Sequence, residues 1–525
     1  MHRRQLLRGS AVVLATPSIA RARGANVLKF RPVGDLALLD PVWSGARPTR
    51  NHGYLIFDTL YGLDEDLVAR PQMAAGHVTE DDGKRWTITL REGLRFHDGE
   101  PVLARDVVPS IKRVCARDTF GQALMAATDE IVAADDRRVV FRLKRPFPHL
   151  TQALAGGTAL VPCIMPARLA ATDPFKQVPE MVGSGPFRFV ANEQVAGHIV
   201  VYERFAGYVP RADGRTSFLA GPKVVHFDRV EWNIIPDPAT PAAALRQGEI
   251  DWWEVVSADF LPMMRADPNL RVTTSKLLNA IGLMRFNQLY PPFDNQAVRR
   301  VMLSVIDQAA AMQAVAGTDP AAWTDRIGLF GPAMPLANDA GIEVMTAPRD
   351  IDKAKRDLAA AGYRGEPIVY LDPANSAEQH ALNLVGADAL RQAGFNVEVS
   401  SQDLASVMRR RLSREPPDKG GWNVTCTLMD SAYAFWPPGV FPLRGNGARG
   451  IWGWSVSPRI KALLQDWYEA PDLTHEKAIC RDLQIALWND VPYIPMGQYS
   501  QKTAYRRTIT DMPIGFPLFY GVRPA

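Results

Sequence analysis

Two consecutive helix–glycine–strand units in the second half of the chain constrain its fold most strongly. A helical pattern over residues 352–361 ends at Gly362, and a second one over 379–393 ends at Gly394. In both cases apolar, β-branched residues follow at once, as in a strand. Glycine readily adopts the left-handed conformation that ends a helix, and helices that alternate with strands are typical of α/β proteins. We therefore predict an α/β fold.

Other segments carry equally regular patterns. Residues 86–90 and 139–143 alternate apolar and polar side chains, which predicts two strands. A short helix is expected between them at 104–115. From Asn295 onward the apolar period is 3.6 residues, which predicts one amphipathic helix. Its apolar stripe comprises Val298, Val301, Met302, Val305, Ile306, Ala309 and Met312.

The length of the chain bears on its domain organisation. A chain of 525 residues is too long for one compact core, so two or three domains are expected. The sequence contains no long linker, low-complexity tract or short-period repeat. Beyond the first 22 residues, no segment approaches the roughly 20 apolar residues that a membrane-spanning helix needs.

The net charge of the chain comes from its first residues. The formal net charge is +4, and Arg3, Arg4, Arg8 and Arg21 lie in the first 22 residues, which contain no acid. With these four removed from the 60 Lys and Arg, 56 remain, equal to the 56 Asp and Glu. A neutral mature chain gives no electrostatic reason to bind nucleic acid or an anionic membrane, and we predict neither partner.

The first 22 residues have the pattern of a secretory signal peptide. Residues 1–8 are basic, 9–20 are mostly apolar, and 20–22 fit an A-x-A cleavage site. The pair Arg3-Arg4 resembles a twin-arginine signal, and a Sec signal with two arginines is the alternative. Because no lipobox cysteine follows the apolar stretch, a lipoprotein anchor is not expected. Either route predicts a soluble periplasmic protein after cleavage.

The cysteines do not form a metal or redox motif. None of the four belongs to a C-x-x-C pair, so neither a zinc-type site nor a thioredoxin-like site is predicted. An oxidising compartment would permit two disulfides, and buried free thiols are the alternative. The two pairs would be Cys115–Cys163 and Cys426–Cys480.

No catalytic constellation is visible in the sequence. The run His97-Asp98-Gly99-Glu100 could be an acid/base or metal cluster, but a glycine between a strand and a helix favours a structural turn. Neither H-E-x-x-H nor G-x-S-x-G occurs. The nine histidines lack metal-ligand spacing. We therefore predict that the protein is not an enzyme, with no cofactor and no metal.

A series of strings along the chain resembles one family. The first region matches over about 50 residues in order, with F-D-T-L-Y at 57–61, P-Q-M-A at 71–74, W-T-I-T-L-R-E-G-L-R-F-H-D-G-E-P at 86–101 and A-R-D-V-V at 104–108. Later matches are V-G-S-G-P-F at 182–187, G-E-I-D at 248–251, P-F-D-N at 292–295, V-R at 298–299, I-D at 306–307 and V-P-Y-I-P at 491–495. Together they resemble extracellular solute-binding protein family 5, the dipeptide, oligopeptide and nickel binders of ABC importers.

The resemblance implies a bilobed periplasmic binding protein clamp. This is an α/β, class II-like fold with an extra subdomain in the first lobe, and its ligand is enclosed between the lobes. Chain crossings near 278–286 and 493–496 would form the hinge. The implied divisions are a signal peptide at 1–22, lobe I at 26–275 with a subdomain at 56–185, lobe II at 276–495, and a return to lobe I at 496–525.

One candidate ligand residue is an acid. In peptide-binding relatives an Asp pairs with the α-ammonium of the ligand, and Asp430 is the matching residue. The usual Gly-Trp before it is replaced by Thr427-Leu428, and the stretch 375–380 lacks the Arg that dipeptide binders carry. A loop-capping role is the alternative for Asp430.

The other candidates are aromatic or basic. Trp436, Trp452 and Trp454 could form apolar pocket walls, with packing in the lobe core as the alternative. Arg444 could meet a carboxylate, with a solvated loop position as the alternative. Trp43 follows an L-D-P turn typical of the family and is expected near the cleft.

These observations predict the substrate-binding component of an ABC importer. It would capture a small organic solute, peptide or peptide-like, and deliver it to a membrane permease, and we expect a monomer. The alternatives are an exported hydrolase or peptidase, or a ligand sensor or chaperone on the same clamp.

Overall fold

The structure is a computed structural model that describes residues 26–237, 239–445, 447 and 450–525. The predicted signal peptide at 1–22 lies outside these residues. The strands are β1 (Val27–Arg31), β2 (Tyr61–Leu63), β3 (Ala69–Pro71), β4 (Ala74–Glu80), β5 (Arg85–Leu90), β6 (Thr128–Ala133), β7 (Arg138–Leu143), β8 (Phe187–Phe189), β9 (Ile199–Arg204), β10 (Arg229–Asn233), β11 (Trp252–Trp253), β12 (Leu270–Phe286), β13 (Trp323–Thr324), β14 (Pro367–Pro373), β15 (Asn396–Gln402), β16 (Val424–Asp430), β17 (Tyr493–Arg506), β18 (Ile509–Thr510) and β19 (Arg523–Pro524).

Helices alternate with these strands. They are α1 (Arg47–Ile56), α2 (Ala104–Cys115), α3 (Thr119–Ala127), α4 (Leu150–Ala153), α5 (Ala167–Ala170), α6 (Ala239–Gln247), α7 (Leu261–Ala266), α8 (Gln296–Val301), α9 (Gln308–Ala316), α10 (Glu343–Thr346), α11 (Ile351–Ala360), α12 (Ala377–Ala393), α13 (Leu404–Arg410), α14 (Pro458–Tyr468) and α15 (Leu473–Asp490). Within the described residues, no helix combines the length and the apolar character that a membrane crossing requires.

One long sheet passes through both lobes. Its strand order is β15-β14-β16-β12-β17-β11-β1-β10-β9-β8. The first lobe holds β1 and β8 to β11, the second holds β14 to β16, and the antiparallel pair β12–β17 joins them. The register of that pair is irregular between Thr274 and Asn279, where the sheet passes from one lobe to the other. The predicted α/β, bilobed architecture is confirmed, while the domain boundaries stay predictions.

A separate four-stranded sheet adds a subdomain, which we define as β4 to β7 together with α2, α3 and α4. Its order is β4-β5-β7-β6, and every pairing is antiparallel. The predicted strands at 86–90 and 139–143 and the helix at 104–115 are confirmed as β5, β7 and α2. Asp106 stabilises the start of α2 because its Oδ2 accepts the Leu103 N–H at 3.0 Å.

The two helix–glycine–strand units are confirmed. They form α11–β14 and α12–β15, and β14 runs parallel to both β15 and β16. Gly394 ends α12 with a φ of 100°, a conformation that residues with a Cβ adopt only at a cost.

The prediction of one continuous amphipathic helix from Asn295 is wrong, because the helix is interrupted. The segment forms α8, a short 3₁₀ turn and α9. Asp307 caps the second helix, accepting the Ala310 N–H at 3.1 Å. A residue that caps a new helix interrupts the old one, although most of the predicted apolar stripe is buried.

The His97 run forms the predicted structural turn. His97 Nε2 donates to the Gly185 carbonyl at 3.1 Å, and Nδ1 accepts the Gly183 N–H at 3.3 Å. Burial lowers the pKa of His97 to about 4, which keeps the ring in the neutral form that this pattern needs. These two hydrogen bonds therefore hold the segment 182–187 against the segment 86–101.

All four cysteines are buried free thiols. Of the two alternatives left open by the sequence, the structure contains the free thiols. Burial raises the pKa of Cys115, Cys163, Cys426 and Cys480. These thiols fill apolar space rather than cross-link the chain.

Candidate functional site

A cluster of four charged residues, three of them buried and the fourth, Arg47, mostly buried, lies where the two lobes meet. Arg47 and Arg50 belong to α1, Glu254 follows β11, and Asp430 ends β16. The Asp430 carboxylate lies 3.2 Å from Arg47 Nε and 3.0 Å from Arg50 Nη1. We call these four residues the ionic cluster. It links the first lobe to the second through the ion pair between Arg50 and Asp430, which are 380 positions apart in the sequence.

The local sequence of α1 presents both arginines to the same partner. Arg47 and Arg50 are three residues apart and therefore share one face of the helix. The Arg50 guanidinium lies 4.1 Å from the ring centre of Phe516 and 5.2 Å from that of Tyr433. Tyr433 in turn donates a hydrogen bond to the Gly45 carbonyl. Two aromatic rings thus hold Arg50 beside Asp430.

Opposite charges outweigh burial at Asp430 and at Arg47. Burial favours the neutral carboxyl of Asp430, but Arg50 and Arg47 lower its pKa below the ordinary value. Burial also opposes the charge of Arg47, yet Asp430 and Glu254 raise its pKa. At Glu254 burial prevails over the attraction of Arg47, so its pKa is raised.

Two adjoining cavities lie beside the ionic cluster. One of about 300 Å³ is lined by Glu254, Trp252 and Gln501, among others. Another of about 500 Å³ is lined by Glu65 of the first lobe and Pro332 of the second. Both cavities include Thr274 and Ile514 in their walls. Their volumes are within the range of small-molecule sites. Both cavities lie along the β12–β17 strand pair, which contributes residues to their walls.

A second contact between the lobes involves Trp436 and Arg444. Trp436 is buried, with its ring centre 6.3 Å from that of Trp467 on α14, and it also contacts the backbone near Gly157. The half-buried Arg444 faces Asp118 of the subdomain. Burial lowers the pKa of Arg444, and the Asp118 charge opposes that shift. Both predicted ligand residues therefore lie at the contact between the subdomain and the second lobe.

Trp452 and Trp454 lie in a different place, a core cluster of the second lobe. Both pack around Trp422, with ring centres 6.2 Å from it. The guanidinium groups of Arg411 and Arg285 lie 4.4 and 5.0 Å from the Trp452 ring centre. These contacts favour the core alternative for the two tryptophans, and their role at a ligand stays a prediction.

Trp43 is held within the first lobe. The Arg117 guanidinium lies 4.7 Å from its ring centre and donates to the Trp43 carbonyl at 3.1 Å. Of the six predicted ligand residues, the structure brings only Asp430 into the ionic cluster. The loop-capping alternative for Asp430 also applies, because its Oδ1 accepts the Ala432 N–H at 2.9 Å.

Comparison with known proteins identifies the family. The family model for bacterial extracellular solute-binding proteins, family 5 Middle, matches residues 69–443. The probable peptide ABC transporter periplasmic-binding protein y4tO of Sinorhizobium fredii is 34% identical over 98% of this chain and 97% of its own. The chain belongs to solute-binding protein family 5.

Further relatives of this family 5 protein extend the match. The glutathione-binding protein GsiB of Pectobacterium atrosepticum is 26% identical over 87% of this chain and 85% of its own. The Helicobacter pylori periplasmic binding protein DppA, solved with the peptide STSA, superposes with a TM-score of 0.79 at 19% identity, over 95% of this chain and 98% of its own. The agropinic acid complex of AgaA from A. tumefaciens gives a TM-score of 0.76 at 19% identity, with coverages of 95% and 99%. These structures confirm the bilobed binding-protein fold.

Sequence reasoning missed most of the ionic cluster of this family 5 protein. The spacing of Arg47 and Arg50 could have drawn attention to α1, since two arginines on one helix face need an acidic partner or solvent. Glu254 carries no comparable signal because it follows two tryptophans in an apolar strand. The pairing itself depends on chain crossings that local patterns do not encode.

Proposed function

We propose that this protein captures a small organic solute, peptide or peptide-like, between its lobes and presents it to the permease of an ABC importer. The observation that carries the proposal is the ionic cluster, in which α1 of one lobe meets Asp430 of the other beside two cavities. Family membership supports the same reading. The names of y4tO and GsiB point to peptides and to glutathione as relevant classes.

The proposed mechanism is closure of the lobes around the solute. The chain crosses between the lobes within β12 and again within β17, so the lobes can rotate about this pair of strands. The irregular register near Thr274 supports a bend there. A solute that contacts both lobes binds only the closed form and shifts the population toward it. The permease would then distinguish the closed shape from the open one.

We further propose a binding role rather than a catalytic one. The family consists of solute-binding proteins, which supports this choice over a peptidase. The expected setting is the periplasm after signal cleavage, and the expected form is a monomer that contacts its permease.

The test begins with the mature chain, residues 23–525, purified from the periplasm. Native mass spectrometry before and after denaturation would identify any co-purified solute, and thermal shift with mixed dipeptide pools would follow. We expect a co-purified small acid or peptide, or a pool that raises the melting temperature. At 100 times Kd a ligand stabilises the folded state by about 2.7 kcal/mol.

Two outcomes would contradict the proposal. If no solute co-purifies and neither peptides nor cell metabolite extracts raise the melting temperature, the transport role fails. If the pools are hydrolysed by purified protein, as followed by liquid chromatography and mass spectrometry, the peptidase alternative replaces it.

A further inference from the structure

The acids of the ionic cluster are already supplied with donors from the chain. Asp430 Oδ2 pairs with Arg47 and Arg50, and Oδ1 accepts the Ala432 N–H. A ligand ammonium at this carboxylate would compete with two guanidinium groups that the chain holds in place. Displacing either of them would leave a buried charge unpaired, which is costly.

Glu254 is supplied in the same way. Its Oε1 accepts the Asn51 Nδ2 at 3.2 Å, and its Oε2 accepts the Val33 N–H at 2.7 Å. Both carboxylates of the cluster therefore have at least one donor from the chain on each oxygen. A cation of the ligand would therefore compete with donors that already occupy these carboxylates, whereas a hydrogen-bond acceptor of the ligand would not.

The two arginines differ in how well they are satisfied. Arg50 donates to Asp430 from Nη1 and lies 3.4 Å from Asn51 Oδ1 through both Nε and Nη2. Arg47 pairs with Asp430 through Nε, but its buried Nη1 has no hydrogen-bond partner among the described residues. A buried donor without an acceptor costs free energy that an incoming acceptor recovers.

Arg47 also lies close to the space available for a solute. Asn51 of the same helix donates to Glu254 Oε1 at 3.2 Å, and Glu254 lines the cavity of about 300 Å³. Because α1 carries Arg47 in the first lobe and Asp430 belongs to the second, an acceptor bound at Nη1 would join the contact between the lobes. Its binding would therefore favour closure.

We propose that Arg47 is the residue that recognises the charge of the solute, and that it takes a carboxylate. The solute class is then an organic acid or a peptide-like molecule with a free carboxylate. Asp430 acts as the internal partner that orients Arg47, and it is not the receptor for a ligand ammonium. This inference rests on the proposed transport function and makes it more specific.

Three mixed-sequence dipeptide pools test the inference. One pool has free ends, one is N-acetylated and keeps only the carboxylate, and one is C-amidated and keeps only the ammonium. Affinities would be measured by calorimetry on the mature chain and on Arg47→Gln, Arg47→Lys and Arg117→Gln. Arg117 is the matched control, since it is an arginine stacked on Trp43 outside the ionic cluster.

We expect the free and N-acetylated pools to bind wild type about tenfold to a hundredfold more tightly than the amidated pool, as for a hydrogen bond to a charged group. In Arg47→Gln the ratio of these affinities should fall to about one. Arg47→Lys should keep part of the preference for the carboxylate pools, and Arg117→Gln should leave the ratio unchanged. Circular dichroism and the melting temperature of each unliganded variant would verify folding. If Arg47→Gln does not fold, the ratio measured on Arg47→Lys decides.

The outcomes separate this inference from the proposed function. Equal or tighter binding of the amidated pool overturns the inference alone, as does an unchanged ratio in folded Arg47→Gln or, failing that, in Arg47→Lys. A protein that binds none of the three pools contradicts the inference and the peptide-like solute together.

Discussion

The imidazole of His149 lies parallel to the indole of Trp467, with ring centres 4.2 Å apart and planes 4° apart. His149 Nε2 also donates to the Trp467 carbonyl at 3.0 Å. His149 directly precedes α4 of the subdomain, and Trp467 belongs to α14 of the second lobe. Phe120 and Tyr468 also contact Trp467, with ring planes inclined to it by 58° and 70°. This contact joins the subdomain to the second lobe without involving the ionic cluster.

We expect Trp467→Ala to weaken lobe closure. The substitution removes the aromatic contact on the second lobe, and truncation of a buried tryptophan costs about 3 to 5 kcal/mol. The expected results are a larger radius of gyration by small-angle X-ray scattering and a weaker affinity for the solute. Trp253→Ala is the matched control, because Trp253 is equally buried but packs within the first lobe. If both variants lower stability but neither changes the radius of gyration, the contact does not contribute to closure.

The same contact predicts a loss of stability in acid. Burial lowers the pKa of His149 to about 4, whereas an unfolded histidine titrates near its ordinary value of 6.5. The unfolded chain therefore binds the proton first, so stability is complete above about pH 6.5 and falls as the pH drops toward 4. Each unit of pKa difference corresponds to about 1.4 kcal/mol. We expect wild type to lose on the order of 3 kcal/mol from this residue.

His149→Phe isolates that effect. Phenylalanine keeps an aromatic ring against Trp467 but cannot take up a proton, while His52 and His97, whose pKa values burial also lowers, remain as background. Urea unfolding at pH 6.5 and pH 4 should give a smaller difference for the variant than for wild type. An identical difference in the two proteins would show that His149 does not contribute to acid sensitivity.

Local patterns were sufficient to predict much of the fold. The strand β5 and the helix α2 carry clear periods, and Gly394 ends α12 where its sequence indicates. The segment after Asn295 shows the limit of such reasoning. Its apolar stripe continues across a break, because burial of one face does not require an unbroken helix when Asp307 supplies a new cap.

The candidate site was less predictable. Asp430 could be singled out from its neighbours in sequence, but its partners Arg47 and Arg50 belong to the opposite end of the chain. The tryptophans illustrate a different limit. Trp436 at the contact between the lobes and Trp452 in the core of one lobe are both buried, and composition alone does not distinguish a pocket wall from a core.

We expect Asp430→Asn to open the lobes. The substitution keeps the size of the side chain and an oxygen for the Ala432 N–H, but it removes the charge that holds Arg47 and Arg50 together. In this variant Glu254 is the one acid left in the ionic cluster, so the two guanidinium groups lose their shared partner and gain hydration when the lobes separate. The expected result is an increased radius of gyration without solute, together with faster hydrogen exchange at residues 431–433.

A triple variant checks the cause of that opening. Arg47→Met and Arg50→Met with Asp430→Leu replace both arginines and their shared acid by apolar side chains, which is often neutral or stabilising for buried ion pairs and triads. We expect this triple variant to stay more compact than Asp430→Asn. If the two open to the same extent, the loss of packing at residue 430 is responsible and the charge is not.

Asp58 and Lys223 form a second buried ion pair, and we expect Lys223→Met to reduce the free energy of unfolding by about 3 to 5 kcal/mol. The two charged atoms lie 2.7 Å apart with side chains 1% and 0% exposed, and Tyr208 donates to the other Asp58 oxygen at 2.9 Å. Loss of the lysine leaves a carboxylate in an apolar interior, within the 57–61 string that helped to indicate the family. Urea unfolding would measure the change, with Arg138→Met as the control, since its pair with Asp135 is exposed and worth less than about 1 kcal/mol. Equal losses in the two variants would mean that burial adds nothing to the Asp58–Lys223 pair.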